Sequence, residues 1–335
     1  MPIDWAERVS RLSGRRLVVV GDITLDEYLF GRATRLSREA PIPVLEFLRR
    51  ETILGGAANP GRTAAALGAH VQQIGVIGDD GEGAQIRALC QAAGIDDRGL
   101  VISNSRRTTC KTRILADESP RLAQQLARLD RLDRHTLDDE EQAALLAATA
   151  AAVNGADALI CSDYQLGVLS AATVAAIGGL CRQHGVRFCV DAQGNADYYT
   201  GADLFRCNDS EAAATLGYSV STDAALERGL HELRSRLDAG LVIVTRGPAG
   251  LAMVGVDQPY LSLPAHRVSE VYDTVGAGDT FIAVVTLGLA AGLSPQTAAE
   301  IAGAAAALVV RRVGNAIVTP QELIATLRAN PPTAG

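Results

Sequence analysis

The stretch DTVGAGDTFIAVVTLGLAAG occupies residues 273–292. Glycine on either side of Ala277 permits a tight turn whose backbone N–H groups stay uncovered. The apolar run that follows is long enough for a buried helix, which puts those N–H groups at its N-terminus. That end of a helix carries unpaired donors and partial positive charge, and it suits an anion such as a phosphate. A carboxylate beside an anion hole is useful if it takes a proton. The stretch therefore makes Asp279 a candidate base and Gly276, Ala277 and Gly278 a candidate anion hole. The plainer alternative is that Asp273 or Asp279 only caps the helix. A cap needs one acceptor and neither glycine, so the pattern favours a site.

Outward from this stretch, strand and helix patterns alternate. RRLVVVGD (15–22), VQQIGVIG (71–78), DALICSD (157–163), VRFCVD (186–191) and LVIVTRG (241–247) are short apolar runs of the kind that form buried parallel strands. Helical patterns lie between them over 58–67, 81–93, 139–153, 170–184 and 222–238. This alternation predicts an α/β fold with a parallel sheet covered on both faces. Asp22, Asp163, Asp191 and Thr245 end strands, and ligands of such sheets bind beyond the strands' carboxyl ends, so these residues should converge on one crevice. Segments 33–54 and 107–130 break the alternation and read as strands off the main sheet. They predict a lid, and a homodimer made by pairing lid edges that would otherwise be open to aggregation. The expected organisation is one domain over residues 1–330 with a loose tail over 331–335.

Composition narrows the function. With 48% hydrophobic but only 4% aromatic residues, the core must be filled by Ala, Val, Leu and Ile. A net charge of −7 argues against a nucleic-acid or polybasic membrane surface. No apolar stretch reaches the roughly 20 residues of a membrane span, and the N-terminus carries acidic residues where a signal peptide is apolar. A soluble, cytoplasmic protein is expected. The six cysteines form no C-x-x-C pair and read as buried thiols; the five histidines are scattered, with no metal-binding spacing. Lys111 is the single lysine among 31 basic residues. Arg and Lys are not interchangeable at a tight site, which makes Lys111 a candidate functional residue, although chance survival is the ordinary alternative.

Two further motifs bear on chemistry. GAANPGRT (56–63) nearly spells a P-loop, but Arg62 stands at the lysine position and Pro60 removes an N–H that should cradle phosphate. A better reading is that Gly55 and Gly56 allow close approach of a ligand, with Asn59 opening the next helix and offering a donor and an acceptor. NDSE (208–211) puts Asn208 and Glu211 three apart at a helix start. That spacing suits a capping box, and equally an oxygen-rich site for Mg²⁺ and its waters.

Taken together, GGAANPGRTAAALG (55–68), DTVGAGDTF (273–281) and NDSE resemble the signatures of the PfkB, or ribokinase-like, carbohydrate kinases. GDITLDEYLFGRATRLSREAPIPV (21–44), CKTRIL (110–115), SDYQLGVL (162–169) and TPQEL (319–323) are more narrowly similar to the D-glycero-β-D-manno-heptose-7-phosphate kinases. The resemblance implies a three-layer α/β/α ribokinase-like fold with a small β lid, and ATP-dependent phosphorylation of a sugar hydroxyl. It implies that Asp279 is the base and that the amides of Gly276, Ala277 and Gly278 face the transferring phosphoryl group. Asp26, Gly55, Gly56 and Asn59 would hold the sugar, with Lys111 on its phosphate. Asn208 and Glu211 would hold Mg²⁺ through water, and Thr245 and Gly247 would line the nucleotide. A monovalent cation such as K⁺ is often bound near the anion hole in this family, and Asp273 and the loop before Thr319 are its candidates here. Some heptose kinases carry a fused nucleotidyltransferase, which a chain of 335 residues is not expected to contain.

Heptose kinases also carry lysines where this chain has Leu166 and Gln193. Without them, Lys111, Arg113, Arg35 and Arg38 are the cations left to meet a sugar phosphate. Other readings are a PfkB-type kinase of another sugar, sugar phosphate or nucleoside, and a ligand-binding regulator that has lost catalysis. A retained Asp279 weighs against the last, because a binder has no use for a general base.

Overall fold

The computed structural model describes residues 3–116, 124–266, 271, 273–312 and 314–329. The chain runs α1 (Trp5–Ser10), β1 (Arg16–Gly21), β2 (Ile23–Leu36), β3 (Pro43–Gly56), α2 (Ala58–Ala66), β4 (His70–Gly78) and α3 (Gly81–Ala92). Then follow β5 (Asp96–Ser103), β6 (Cys110–Ala116), β7 (Gln124–Arg131), α4 (Asp139–Val153), β8 (Ala158–Asp163), α5 (Ala171–His184) and β9 (Arg187–Ala192). The last third comprises β10 (Leu204–Asn208), α6 (Asp209–Leu216), α7 (Asp223–Arg236), β11 (Leu241–Thr245), β12 (Leu251–Gly255), β13 (Leu261–Leu263), α8 (Ala277–Ala290), α9 (Pro295–Val309) and α10 (Pro320–Ala329).

Among the described residues, nine strands form one sheet in the order β13-β12-β11-β10-β9-β8-β1-β4-β5. Pairing is parallel from β5 through β11, and β12 and β13 turn antiparallel at one edge. The central strands are buried on both faces, which is why β1 and β8 read as unbroken apolar runs rather than alternating ones. Helices α4, α5 and α7 cover one face, while α2, α3 and α8 cover the other. The three-layer α/β/α arrangement is the expected one. Helix α8 lies between the sheet and α9, so residues 279–289 are all buried and the helix is apolar all round. All six cysteines are buried and unpaired. No helix among the described residues is long and apolar enough to cross a membrane.

A second, mixed sheet has the order β3-β2-β6-β7. Strands β2 and β3 form a long antiparallel hairpin, β6 joins β2 in parallel, and β7 closes against β6. This lid begins at Ile23, ten residues before the expected 33–54 segment. Residues 23–28 are buried on both faces, so the alternation that betrays a lid strand sets in only further along β2. In the second segment, residues 107–109 precede the strands and 117–123 lie outside the described residues, as does the tail over 331–335.

Candidate active site

Helix α8 starts from Gly276, whose φ of +78° is the left-handed conformation that glycine adopts without strain. No side chain caps this helix, so neither Asp273 nor Asp279 is the cap that the plainer reading allowed. Asp273 instead accepts the N–H groups of Val275 and Gly314, each at 2.9 Å, and ties the loop before α8 to the loop after α9. Gly278 is required by proximity: a Cβ there would stand 2.8 Å from Nη1 of Arg206. The N–H of Ala277 donates to the Thr274 carbonyl at 3.3 Å, so this amide of the expected anion hole is already engaged within the turn.

Asp279 follows in the first helical turn and is 8% exposed. Its Oδ1 accepts from the Tyr164 hydroxyl at 2.5 Å, and its Oδ2 accepts from Nδ2 of Asn59 at 2.8 Å. Burial pushes the carboxyl up to about 6, with Asp191 adding to the rise and both donors and Arg206 opposing it. A carboxylate so placed is ionised near neutral pH yet holds a proton better than a free aspartate, as a general base should. Asn59 sits within the first turn of α2 rather than at its cap. Its Oδ1 is buried with no hydrogen-bond partner, and Asn59 lies behind the cavity wall rather than on it.

From the lid side come Asp26 on β2, Lys111 and Arg113 on β6, and Arg128 on β7, all on the wall of one cavity of about 1190 Å³. Pairing register puts Asp26 beside Lys111 and Arg113 directly opposite Arg128. Asp26 accepts from Nδ2 of Asn315 at 2.8 Å and lies 3.2 Å from Nη1 of Arg113. That ion pair lacks hydrogen-bond alignment, and Arg113 Nη1 is left a buried donor without an acceptor. Arg128 is held by Asp130 at 2.6 Å. Lys111 Nζ stands 5.0 Å above the Tyr164 ring, a cation–π contact. Gly55 and Gly56 end β3 opposite Thr24 and Ile23, with Gly56 on the cavity wall. Arg35 and Arg38 are exposed and do not line the cavity, because β2 carries them towards the far end of the lid. Leu166 is buried and its carbonyl accepts from Arg106 at 2.8 Å, whereas Gln193 does line the cavity.

The opposite end lies over the main sheet. Asp163, Asp191 and Thr245 line the cavity as the strand-end pattern predicts. Asp22 does not; its carboxylate is taken up by backbone N–H groups of the loop after β8. Arg206, a charged residue inside the strand LFRCN, donates to Asp191 at 2.9 Å and to Thr245 Oγ1 at 2.6 Å. Asn208 and Glu211 form a complete capping box at the start of α6, each side chain accepting the other's backbone N–H. Both also line the cavity, and burial raises the Glu211 carboxyl above its usual value. Among the described residues no cluster of three His, Cys, Asp or Glu side chains forms a metal cage. An oxygen pair such as Asn208 and Glu211 fits Mg²⁺, which keeps several waters and leans on substrate phosphates. Beyond Thr245 and Gly247 the wall turns apolar, with Leu251, Leu263 and the α9 face of Ala299, Gly303 and Ala306. That slot suits a planar base.

Sequence reasoning missed Tyr164, Arg206, Arg128, Asn315 and the α9 face. A charge inside an apolar strand was a usable signal for Arg206, and the alternating charges of LARLD for Arg128. Tyr164 lies in SDYQLGVL, a stretch singled out by its resemblance but given no role, and nothing local marks Asn315.

Comparison with known proteins shows the family and the fold. Residues 15–322 match the model of the pfkB family carbohydrate kinases. The bifunctional protein HldE of Citrifermentans bemidjiense is 38% identical over 317 residues, which are 94% of this chain and 64% of that protein. The chain thus spans less than two thirds of that relative's length. In fold it is similar to phosphofructokinase-2 from Escherichia coli in complex with potassium, with a TM-score of 0.77 at 18% identity over 95% of this chain and 99% of that one. Arabidopsis thaliana ribokinase complexed with ribose and ATP gives a TM-score of 0.73 at 19% identity over 94% and 99%. A family match over nearly the whole chain, on a ribokinase-like fold, places this protein in the pfkB family of carbohydrate kinases.

Proposed function

We propose that the protein transfers the γ-phosphoryl group of ATP to a hydroxyl of a sugar that already bears a phosphate. D-glycero-β-D-manno-heptose 7-phosphate is the substrate put forward, giving the 1,7-bisphosphate. The observation that carries the phosphorylated substrate is the cross-strand pair Arg113 and Arg128, with Lys111 on the same cavity wall. Asp26 and Asp130 each offset one of these charges, so three cations on this wall meet two carboxylates, and the surplus positive charge with the unpartnered Nη1 of Arg113 suits an anion. The resemblance to heptose-7-phosphate kinases supports the choice of heptose.

In this reading Asp26, Asn59, Gly55 and Gly56 hold the sugar. Asp279 takes the proton from the acceptor hydroxyl as its oxygen bonds to the γ-phosphorus and the bond to the ADP oxygen breaks. The amides of Gly276 and Gly278, with the Arg206 guanidinium, face the charge on the transferring group, while that of Ala277 is spent on the Thr274 carbonyl. Asn208 and Glu211 would hold Mg²⁺ through water, and the ion would neutralise phosphate charge. Thr245, Gly247 and the α9 slot take the nucleotide. Asp273, which joins the two loops beside the anion hole, is the candidate ligand of a monovalent cation such as K⁺. The lid pairs with a second copy: Leu36, Ile42 and Phe47 are exposed on it, and Phe47 is 68% accessible. The reaction is placed in the cytoplasm.

ATP consumption against a panel of phosphorylated and free sugars tests the reading, and heptose 7-phosphate should be turned over best. A free hexose or pentose as the better substrate would remove the phosphate subsite but leave the kinase. No ATP consumption with any sugar would make the protein a binder.

A further inference from the structure

Tyr164 belongs to the loop that follows β8, and its hydroxyl donates to Asp279 Oδ1 at 2.5 Å. The loop is fixed from below by two buried carboxylates. Asp22 accepts the N–H groups of Tyr164 at 2.8 Å, Leu166 at 3.0 Å and Val168 at 3.3 Å. Asp163 accepts that of Gln165 at 2.7 Å, and Gln165 itself is held at a φ of +57°. From above, Lys111 covers the Tyr164 ring. Two buried carboxylates and a left-handed residue are more than a surface connection requires. Their joint effect is to put one phenol in one place, against Asp279.

We propose that Tyr164 is a positioning residue for phosphoryl transfer, holding one oxygen of Asp279 while Asn59 holds the other, so that the carboxylate cannot turn away from the acceptor hydroxyl. This rests on the reading of Asp279 as the base. A second effect comes with the geometry. The phenol donates to the charged carboxylate and so stabilises it against burial, which favours the neutral acid. The other charged groups facing Asp279 and Tyr164 are Asp191 at the end of β9, Arg206 on β10, Asp26 on β2 and Lys111 on β6. All four remain when the hydroxyl alone is removed. Burial and Asp279 push the phenol's own ionisation well above its usual range, so the phenol stays a donor and the group that titrates is the carboxylate.

Tyr164→Phe keeps the ring and its contact with Lys111 and deletes only the hydroxyl. The acid limb of kcat/KM for the sugar should move up by about 1–2 pH units, the worth of one hydrogen bond to a charged group. The loss of rate should then be largest at acid pH and shrink as pH rises, with KM for ATP unchanged. Replacing Tyr164 by 3,5-difluorotyrosine, a stronger donor of the same shape, should move the limb the other way. Limbs that stay fixed in both variants overturn the proposal, with or without a loss of rate; a loss that persists at high pH beside a shifted limb is the share owed to lost orientation. Asp279→Asn, assayed alongside, separates the two levels. If it retains turnover, the base reading fails and takes the proposal with it; if it is inactive while the limbs stay fixed, only the role of Tyr164 fails.

Discussion

Asn59 and Asp279 are separated by 220 positions in the chain and meet at 2.8 Å. Helices α2 and α8 pack against each other, and this one hydrogen bond joins their first turns. It links the end of the lid hairpin, from which α2 starts, to the glycine turn that opens α8. A single amide thus holds one oxygen of Asp279 while its own oxygen stays buried without a partner.

Replacing Asp279 by Asn should leave ATP and sugar binding intact and cut turnover by about 10²–10⁴, the usual worth of a positioned acid–base group. Isothermal titration and steady-state rates check it. Near-wild-type turnover would reduce Asp279 to a structural residue.

The same substitution should stabilise the protein at neutral pH. The Asp279 carboxyl is raised from 3.8 to about 6 by burial, so the folded state binds its proton more tightly than the unfolded chain does. Below the unfolded value there is no penalty; it grows as pH rises between about 4 and 6 and is complete above. Removing it should gain about 1–3 kcal/mol at pH 7 and little at pH 4. Denaturant unfolding at both pH values is the measurement, and equal stability of the two proteins at pH 7 would contradict the burial argument.

Wild-type kcat/KM should fall on the acid side with a midpoint near 6, because a base must be ionised to accept a proton and Asp279 sits at about 6. A midpoint near the 3.8 of an ordinary aspartate would show that burial does not reach the working base.

Gly278→Ala and Gly276→Ala should separate catalysis from folding. At Gly278 a methyl group meets Arg206 Nη1 at 2.8 Å, so the guanidinium must move and turnover should drop by about 10²-fold, with the fold retained. At Gly276 the φ of +78° makes any Cβ strained, and about 1–2 kcal/mol of stability should go as well. Thermal melts beside rate measurements distinguish the two.

Lys111→Ala and Arg128→Ala should each raise KM for the phosphorylated sugar by about 10–100-fold, as the loss of a charge-assisted hydrogen bond does, and leave KM for ATP nearly unchanged. Equal effects on both substrates would place these side chains outside a sugar-phosphate subsite. Arg35→Ala serves as the control, since Arg35 is exposed and away from the cavity.

Solution scattering should report a dimer, and Phe47→Asp should return it to a monomer, because a charge would then sit on the 68% exposed apolar position of the lid. A wild-type monomer at working concentration would leave the lid but not its pairing.

What the sequence by itself determined was everything carried by local pattern. Apolar runs of five or six residues give the parallel strands, and 3.6-residue periodicity gives the helices between them. The glycines around Ala277 and the apolar run after Asp279 announce a buried helix that starts from a tight turn, while Asn208 and Glu211 announce a capping box. Local pattern failed at residues 23–28, where burial on both faces hides the lid strand from any rule based on alternation. Tertiary structure alone decided which distant groups meet. Whether Arg128 opposes Arg113 depends on the β6–β7 register, and a slip of one residue would turn it to the other face. Tyr164 reaches Asp279 because Asp22, at the end of a strand more than a hundred residues earlier, holds its loop by three amides. Arg206 is tolerated inside an apolar strand because Asp191 and Thr245, near the ends of the neighbouring strands, bind its Nη1 and Nη2, although its buried Nε has no partner. Burial and hydrogen-bond satisfaction are properties of assembled surfaces, so the charge state of the base and the fine geometry around it become definite only once sheet, lid and helices are packed together.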